Sequence, residues 1–301
     1  MRTVYLGTSD FAAVVLDRLA TSEHRPQLVV SRPDRRQGRG RKVSPPPVVE
    51  RARELGIDTL QPEQVNDPDS LARIAAAEPE AACVCAYGAI IGDDLLAAHT
   101  WLNVHPSLLP RWRGAAPIER AIEAGDAKTG VAIMEPVAEL DAGPVYLIRD
   151  EPIRPDDDYG SLAARLAALG GDLLVEALDT LPAPRPQGED GATYAEKIDR
   201  RERLLDPQLD ATALERRVRA LTPHVGTYVE PDGFERLGVR RAALAASDGD
   251  TAPGVLVARD GHLLFGAADG ALELLEVQPA GGRPMDAASW LRGHGAALGA
   301  G

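Results

Sequence analysis

Long apolar runs are missing from this chain of 301 residues. No run approaches the roughly 20 apolar residues that a membrane-spanning helix requires. The residues after Met1 enter the β-rich run Thr3–Gly7 directly, without the apolar stretch and cleavage site of a secretory signal. We therefore expect a cytoplasmic protein that does not contact a membrane, and its length suits one large or two modest domains.

Cysteine is also scarce, since Cys83 and Cys85 are the only two. A metal site would need further ligands at suitable spacing, and the sequence offers none. A redox pair more commonly has two residues between its cysteines. The sequence predicts two reduced thiols inside a buried strand, and no metal.

The glycine-rich loops that bind nucleotides are missing too. After the first predicted strand Gly7 stands alone, where a dinucleotide site would need Gly-x-Gly-x-x-Gly. The pair Gly38 and Gly40 falls in a long loop rather than in a strand-to-helix turn, and no Walker sequence occurs. These absences argue against nicotinamide and nucleoside triphosphate cofactors.

Positive charge is in short supply, because the formal net charge is −13. This balance argues against a general nucleic-acid coat, since nonspecific affinity comes from neutralising phosphates. One segment departs from it: Asp34 is the only acidic residue in a basic segment that contains Arg32, Arg35, Arg36, Arg39, Arg41 and Lys42. The segment could be a solvated loop, a phosphate clamp for a small substrate, or a contact to the end of an RNA.

What the sequence does contain is an alternation of strands and helices. Strands are predicted over 2–6, 27–31, 81–86 and 101–105, and helices over 11–20, 48–55, 70–77, 93–98, 117–124 and 159–181. This order predicts a parallel α/β sheet of Rossmann type. Three prolines and two glycines in 182–191 predict a linker. A helix over 211–221 and short β runs follow, which indicates a small barrel or sandwich.

Asn103 and His105 lie two residues apart at the end of a predicted strand. The period of two places both side chains on one face, and Pro106 should end the strand because it has no N–H for the ladder. An amide beside an imidazole can stabilise an oxyanion and move a proton. Taken alone, a hydrogen-bonded structural histidine would be the commoner explanation.

Asp141 is the third candidate. An aspartate before Ala-Gly-Pro is a common turn residue, and in many chains it has no further role.

Five sequence blocks carry a resemblance to a known family. They are Leu-Gly-Thr-Ser-Asp-Phe-Ala (6–12), Asn-x-His-x-Ser-Leu-Leu-Pro (103–110), Trp-Arg-Gly-Ala-Ala-Pro (112–117), Leu-Asp-Ala-Gly-Pro (140–144) and Thr-Tyr-Ala-Glu-Lys (193–197). Together they resemble the 10-formyltetrahydrofolate-dependent formyltransferases over essentially the whole chain. The resemblance implies a Rossmann-like formyltransferase domain (1–182), a linker (183–203) and an OB-like β-barrel domain that binds tRNA (204–301).

The resemblance also implies a reaction and its residues. It implies that the formyl group of 10-formyltetrahydrofolate moves to the α-amino group of methionyl initiator tRNA, with Asn103, His105 and Asp141 as catalytic residues and no metal. It implies contacts to the folate from Ser107, Leu108, Leu109, Pro110, Tyr87, Gly88, Ala89 and Ile90. It implies contacts to the tRNA acceptor stem from Arg39, Arg41 and Lys42, in a protein that we expect to be a monomer.

Two alternatives stay open at this point. Related catalytic domains formylate a nucleotide-sugar amine or glycinamide ribonucleotide, or hydrolyse the formyl group. A noncatalytic RNA-binding protein on the same fold is the alternative from another class.

Overall fold

The computed structural model describes residues 1–37, 42–231, 234–246, 251–295 and 298. The strands are β1 (Thr3–Gly7), β2 (Pro26–Val30), β3 (Arg35–Gln37), β4 (Lys42–Ser44), β5 (Asp58–Leu60), β6 (Ala81–Cys85), β7 (Thr100–His105), β8 (Arg113–Gly114), β9 (Lys128–Met134), β10 (Val145–Pro152), β11 (Tyr194–Ala195), β12 (Thr227–Val229), β13 (Leu237–Leu244), β14 (Leu256–Arg259), β15 (His262–Gly266), β16 (Ala271–Pro279) and β17 (Met285–Asp286).

The helices alternate with these strands in the first part of the chain. They are α1 (Asp10–Ala20), α2 (Pro47–Glu54), α3 (Pro68–Ala76), α4 (Asp93–Ala98), α5 (Pro117–Ala124), α6 (Tyr159–Thr180), α7 (Ala211–Leu221) and α8 (Ala287–His294), with a short 3-10 helix over Arg200–Arg203.

The chain divides into two compact units. Unit 1 comprises Met1–Pro117, Lys128–Pro152 and Ala163–Ala195, and unit 2 comprises Ile118–Ala127, Ile153–Leu162 and Glu196–Gly301.

Unit 1 is built on a seven-stranded sheet in the order β10-β9-β7-β6-β1-β2-β5. The strands from β7 to β5 run parallel, whereas β9 runs antiparallel to β7 and β10 antiparallel to β9. Every residue of β1 and β6 is buried, as expected of central parallel strands that are covered on both faces. The predicted parallel α/β sheet is confirmed.

The helix that follows β1 begins at Asp10, one residue before the predicted start. The Ser9 side chain accepts a hydrogen bond from the Ala12 N–H and so caps α1. The buried positions of α1, which include Val15, Leu16 and Leu19, recur at helical spacing. Strands β9 and β10 were not predicted. Strand β10 is half-exposed and its second half is charged, so it lacks a clear period of two.

The described parts of the basic segment include two short strands, where the sequence predicted a loop. Strands β3 and β4 pair as an antiparallel hairpin, with Arg35 opposite Ser44 and Gln37 opposite Lys42. Both strands are short, and this explains why no alternating pattern was visible.

Unit 2 contains an antiparallel sheet in the order β12-β13-β16-β15-β14, and β17 also pairs with β16. Leu214 and Val218 of α7 and Trp290 of α8 belong to the same buried cluster as the inward side chains of this sheet. The antiparallel β domain that was predicted to follow the parallel one is confirmed.

Cys83 and Cys85 are free and fully buried in β6, as predicted. Burial raises the pKa of both thiols to about 12, because a thiolate would lose its hydration there. Both cysteines are therefore core residues rather than nucleophiles.

In the part of the chain that the structure describes, no helix is both long enough and apolar enough to cross a membrane.

Candidate active site

Asn103 and His105 lie at the carboxyl end of β7, the edge where open α/β sheets usually place their binding sites. The strand ends at His105, directly before Pro106, as predicted. In the register with β9, Asn103 lies opposite Met134 and His105 opposite Ala132, so the two residues share one face. Asn103 is half-buried, and its amide has no hydrogen-bond partner among the described residues.

The surroundings of His105 distinguish its two ring nitrogens. Nε2 lies 2.9 Å from the carbonyl oxygen of Trp112. A carbonyl only accepts, so Nε2 carries a hydrogen and donates it. Nδ1 then faces Oδ2 of Asp141 at 3.7 Å, and the His105 side chain is only 5% exposed. Proton exchange by this ring is therefore expected at Nδ1, because Nε2 is held as a donor.

Asp141 lies in the loop between β9 and β10 and is held from a separate segment. Its Oδ2 accepts a hydrogen bond of 2.8 Å from the Gly114 N–H. Its backbone has φ +49°, a left-handed conformation in which Asp is more common than most residues. The structure thus brings His105 and Asp141 together, although 36 positions of sequence separate them.

The Asp141 loop also requires a glycine. A Cβ atom at Gly143 would lie 1.8 Å from the carbonyl oxygen of Glu135, so no other side chain fits there without a shift of the backbone. The same turn is closed by a 2.9 Å hydrogen bond from the Glu135 N–H to the Pro144 carbonyl. The Leu-Asp-Ala-Gly-Pro block therefore sets a backbone shape as well as supplying a carboxylate.

The segment that contacts both His105 and Asp141 is fixed by residues that the sequence did not single out. The Trp112 N–H donates to Oγ1 of Thr193 at 2.9 Å, and the Arg113 N–H donates to the Thr193 carbonyl at 2.9 Å. Strands β8 and β11 pair in parallel at this point, with Gly114 beside Ala195. The only sequence signal for these contacts was that Trp112, Arg113 and Thr193 belong to the two family blocks at 112–117 and 193–197.

The turn after β7 carries the Ser-Leu-Leu-Pro sequence. Ser107 is fully buried, and its hydroxyl donates to the Arg111 carbonyl at 2.7 Å. Leu109 is buried against Ala132 and Met134 of β9. Leu108 and Pro110 are half-buried.

The turn after β6 carries the other four residues predicted to contact the folate. Tyr87 is buried in the core beside β6, and its hydroxyl has no partner among the described residues. Burial raises the pKa of Tyr87, and the charge of Arg32 partly opposes this shift. Gly88 adopts φ +76°, Ala89 is half-buried, and Ile90 is 87% exposed. Both turns follow adjacent parallel strands, so they lie at the same edge of the sheet.

The residues predicted to bind tRNA cannot be placed in the same way. Arg39 and Arg41 lie outside the described residues, and Lys42 begins β4 without a described side chain. Their predicted role stays a prediction. Within the described ranges, no group of three His, Cys, Asp or Glu side chains is arranged to hold a metal ion.

Two family models match the chain. The formyl transferase model matches residues 1–178, and the formyl transferase C-terminal domain model matches residues 197–295. The catalytic candidates Asn103, His105 and Asp141 all lie within the first match.

Individual relatives match over nearly the whole chain. A methionyl-tRNA formyltransferase of Ruegeria pomeroyi is 44% identical over 297 residues, which is 97% of each chain. A methionyl-tRNA formyltransferase of Thermus thermophilus is 44% identical over 305 residues, 99% of this chain and 98% of its own.

A solved structure shares the fold. HypX from Aquifex aeolicus, crystallised with tetrahydrofolic acid, matches 97% of this chain and 47% of its own with a TM-score of 0.64. Its sequence identity is 20%, so this likeness concerns the fold. From the two family models and the full-length relatives, it follows that the chain belongs to the formyl transferase family and, within it, to the methionyl-tRNA formyltransferases.

Proposed function

We propose that this protein transfers the formyl group of 10-formyltetrahydrofolate to the α-amino group of methionyl initiator tRNA. The observation that carries the proposal is the arrangement at the end of β7. There the His105 Nδ1 faces the Asp141 carboxylate at 3.7 Å, and the nearby Asn103 amide is free to donate. Family membership supports the nature of both substrates.

The first step forms the new bond. The neutral α-amine attacks the formyl carbon, a C–N bond forms, and the electron pair of the C=O bond moves to oxygen. The Asn103 N–H and a hydrogen on Nδ1 of His105 donate to this oxyanion. Each preorganised donor of this kind typically contributes about 10²-fold or more in rate.

The second step returns the charges to balance. The attacking nitrogen gives up one proton to the Asp141 carboxylate. As the C=O bond re-forms, the bond from the formyl carbon to N10 of the folate breaks, and N10 takes up one proton. The products are formylmethionyl-tRNA and tetrahydrofolate, so no oxidant, reductant or metal is required.

We assign the folate pocket to the turns after β6 and β7, that is, to Tyr87–Ile90 and Ser107–Pro110. The exposed Ile90 and the half-buried Leu108 supply apolar surface, and the backbone of both turns supplies polar groups, as is usual for small-molecule sites. The formyl donor would then lie beside His105, since both turns and His105 share one sheet edge.

We assign the contacts to the tRNA acceptor stem to Arg39, Arg41 and Lys42. The remaining parts of the proposal are a catalytic domain over 1–182, a linker over 183–203 and an OB-like tRNA-binding domain over 204–301. We expect a cytoplasmic monomer that uses no metal.

The test is a comparison of acceptors. Purified protein is incubated with 10-formyltetrahydrofolate and, in separate reactions, methionyl initiator tRNA, glycinamide ribonucleotide, a nucleotide-sugar amine or water alone. We expect formylation of the methionyl-tRNA and none of the other acceptors. Transfer to another acceptor instead, or formation of tetrahydrofolate without any acceptor, would show that the proposed acceptor is wrong. RNA binding without any transfer would favour the noncatalytic alternative.

A further inference from the structure

The segment after α6 contacts the loop that carries Asp141. Arg185 and Val145 exchange two backbone hydrogen bonds, of 2.8 and 2.9 Å, and form an isolated antiparallel bridge. Two residues further along, Gln187 therefore lies beside the turn that precedes β10. At that point the Asp141 loop is contacted by the Gln187 side chain.

The Gln187 side-chain amide donates hydrogen bonds to two backbone carbonyls of the Asp141 loop. Its Nε2 donates to the carbonyl of Asp141 at 2.8 Å and to the carbonyl of Gly143 at 2.7 Å. Each of its two hydrogens thus has one acceptor. The two bonds span the residue with φ +49° and the glycine whose Cβ would clash, so they stabilise the strained part of the turn.

Arg113 fixes which way this amide points. The Arg113 Nε donates to the Gln187 Oε1 at 3.1 Å, and its terminal nitrogens approach Glu189 at 3.3 and 3.5 Å. The Arg113 side chain is fully buried. Because guanidinium only donates and carbonyls only accept, a flipped amide would face like groups on both sides.

The contacts close into a ring around Asp141. Gly114 holds the Asp141 carboxylate through its N–H, and the neighbouring Arg113 holds the side chain that binds the Asp141 carbonyl. The Asp141 side chain is thereby tied to Gly114, and its main chain is tied through Gln187 to Arg113, the other residue of β8.

We propose that Gln187 is a positioning residue for Asp141: it sets the carboxylate against Nδ1 of His105 without touching either substrate. The proposal rests on the proposed function, because it assigns Gln187 to the same reaction. A shift of about 1 Å in a catalytic group can cost about 10²-fold in rate. Loss of the Gln187 hydrogen bonds to the Asp141 loop is therefore expected to slow the reaction.

The experiment uses the full-length chain and two replacements of different kinds. Gln187→Glu keeps the shape but presents a carboxylate to two carbonyls, and Gln187→Met keeps the length without any donor. We expect kcat for formyl transfer to fall about 10- to 100-fold in both, with KM for both substrates within about twofold. Gln27→Glu is the matched control, since Gln27 is exposed near the amino end of β2 in the same sheet.

A double-mutant cycle separates positioning from a general structural role. In an Asp141→Asn background, Gln187→Met should reduce kcat by less than about threefold further, because the group that it positions is already disabled. If circular dichroism shows that one of the two Gln187 variants is unfolded, the result for the other variant decides the test.

Two results would overturn the assignment. One is a kcat within about twofold of wild type in a folded Gln187 variant, and the other is a full, additive loss in the Asp141→Asn background. An inactive wild-type enzyme would overturn the proposed function together with this inference, whereas an active wild type with active variants overturns the inference alone.

Discussion

Replacing Asp141 by asparagine removes a charge while keeping the shape of the loop. Asp141 Oδ2 accepts the Gly114 N–H at 2.8 Å, and an amide NH₂ group cannot accept there. The asparagine oxygen should therefore take the place of Oδ2 and keep this bond. What is lost is the negative charge 3.7 Å from Nδ1 of His105.

The expected size of the effect follows from that distance. At an effective dielectric constant of about 20, a full charge pair near 4 Å interacts by about 4 kcal/mol, which corresponds to about 10³-fold in rate. The effect is smaller than that of an isolated pair, because Oδ2 of Asp141 also accepts the Gly114 N–H and the Asp141 side chain is 14% exposed. We therefore expect kcat for formyl transfer to fall by about 10²- to 10³-fold.

Single-turnover formylation measured with saturating folate and excess enzyme isolates the chemical step from product release. The unfolding temperature of Asp141→Asn should stay within a few degrees of wild type, because the hydrogen bond to Gly114 is kept. A rate loss below about threefold in the folded variant would refute the role of the Asp141 charge.

Three further predictions concern the loop, the basic segment and the core. Gly143→Ala should reduce kcat by about 10-fold or more in the formylation assay, because its Cβ would meet the Glu135 carbonyl at 1.8 Å and displace the Asp141 loop; an unchanged rate would contradict this geometry. Replacing Arg39 and Lys42 together by alanine should raise KM for tRNA and flatten its dependence on salt, while folate binding measured by fluorescence titration is unchanged; equal loss of both would contradict the assignment. Both cysteines should resist a thiol reagent at pH 8 in the native protein and react once it is unfolded, because burial raises the pKa of each thiol to about 12; fast native labelling would contradict the buried strand.

Four of the five parallel strands, β1, β2, β6 and β7, were predictable because they are short, largely apolar runs separated by helices. Ser9 before α1 and Gly56 after α2 are examples of local signals for the ends of these helices. Strand β10 and the hairpin of β3 and β4 were not predictable, because pairing with a neighbour rather than an alternating pattern defines them.

The candidate site divides in the same way. Asn103 and His105 could be placed together because they share a strand, and the structure confirms this placement. The meeting of His105 with Asp141, and the role of the Trp112 carbonyl in holding Nε2, depend on how distant segments pack. Gln187 gave no signal, since it lies among prolines and glycines that predicted only a linker.

The most direct test of the account is formyl transfer to methionyl initiator tRNA by wild type, His105→Ala and His99→Ala. His99 directly precedes β7 and therefore lies at the amino end of the strand, whereas His105 lies at its carboxyl end. The His99→Ala variant therefore controls for loss of an imidazole away from the site. We predict that wild type and His99→Ala transfer formyl at similar rates, and that His105→Ala is slower by about 10²-fold or more. Equal rates in wild type and folded His105→Ala would contradict the central claim.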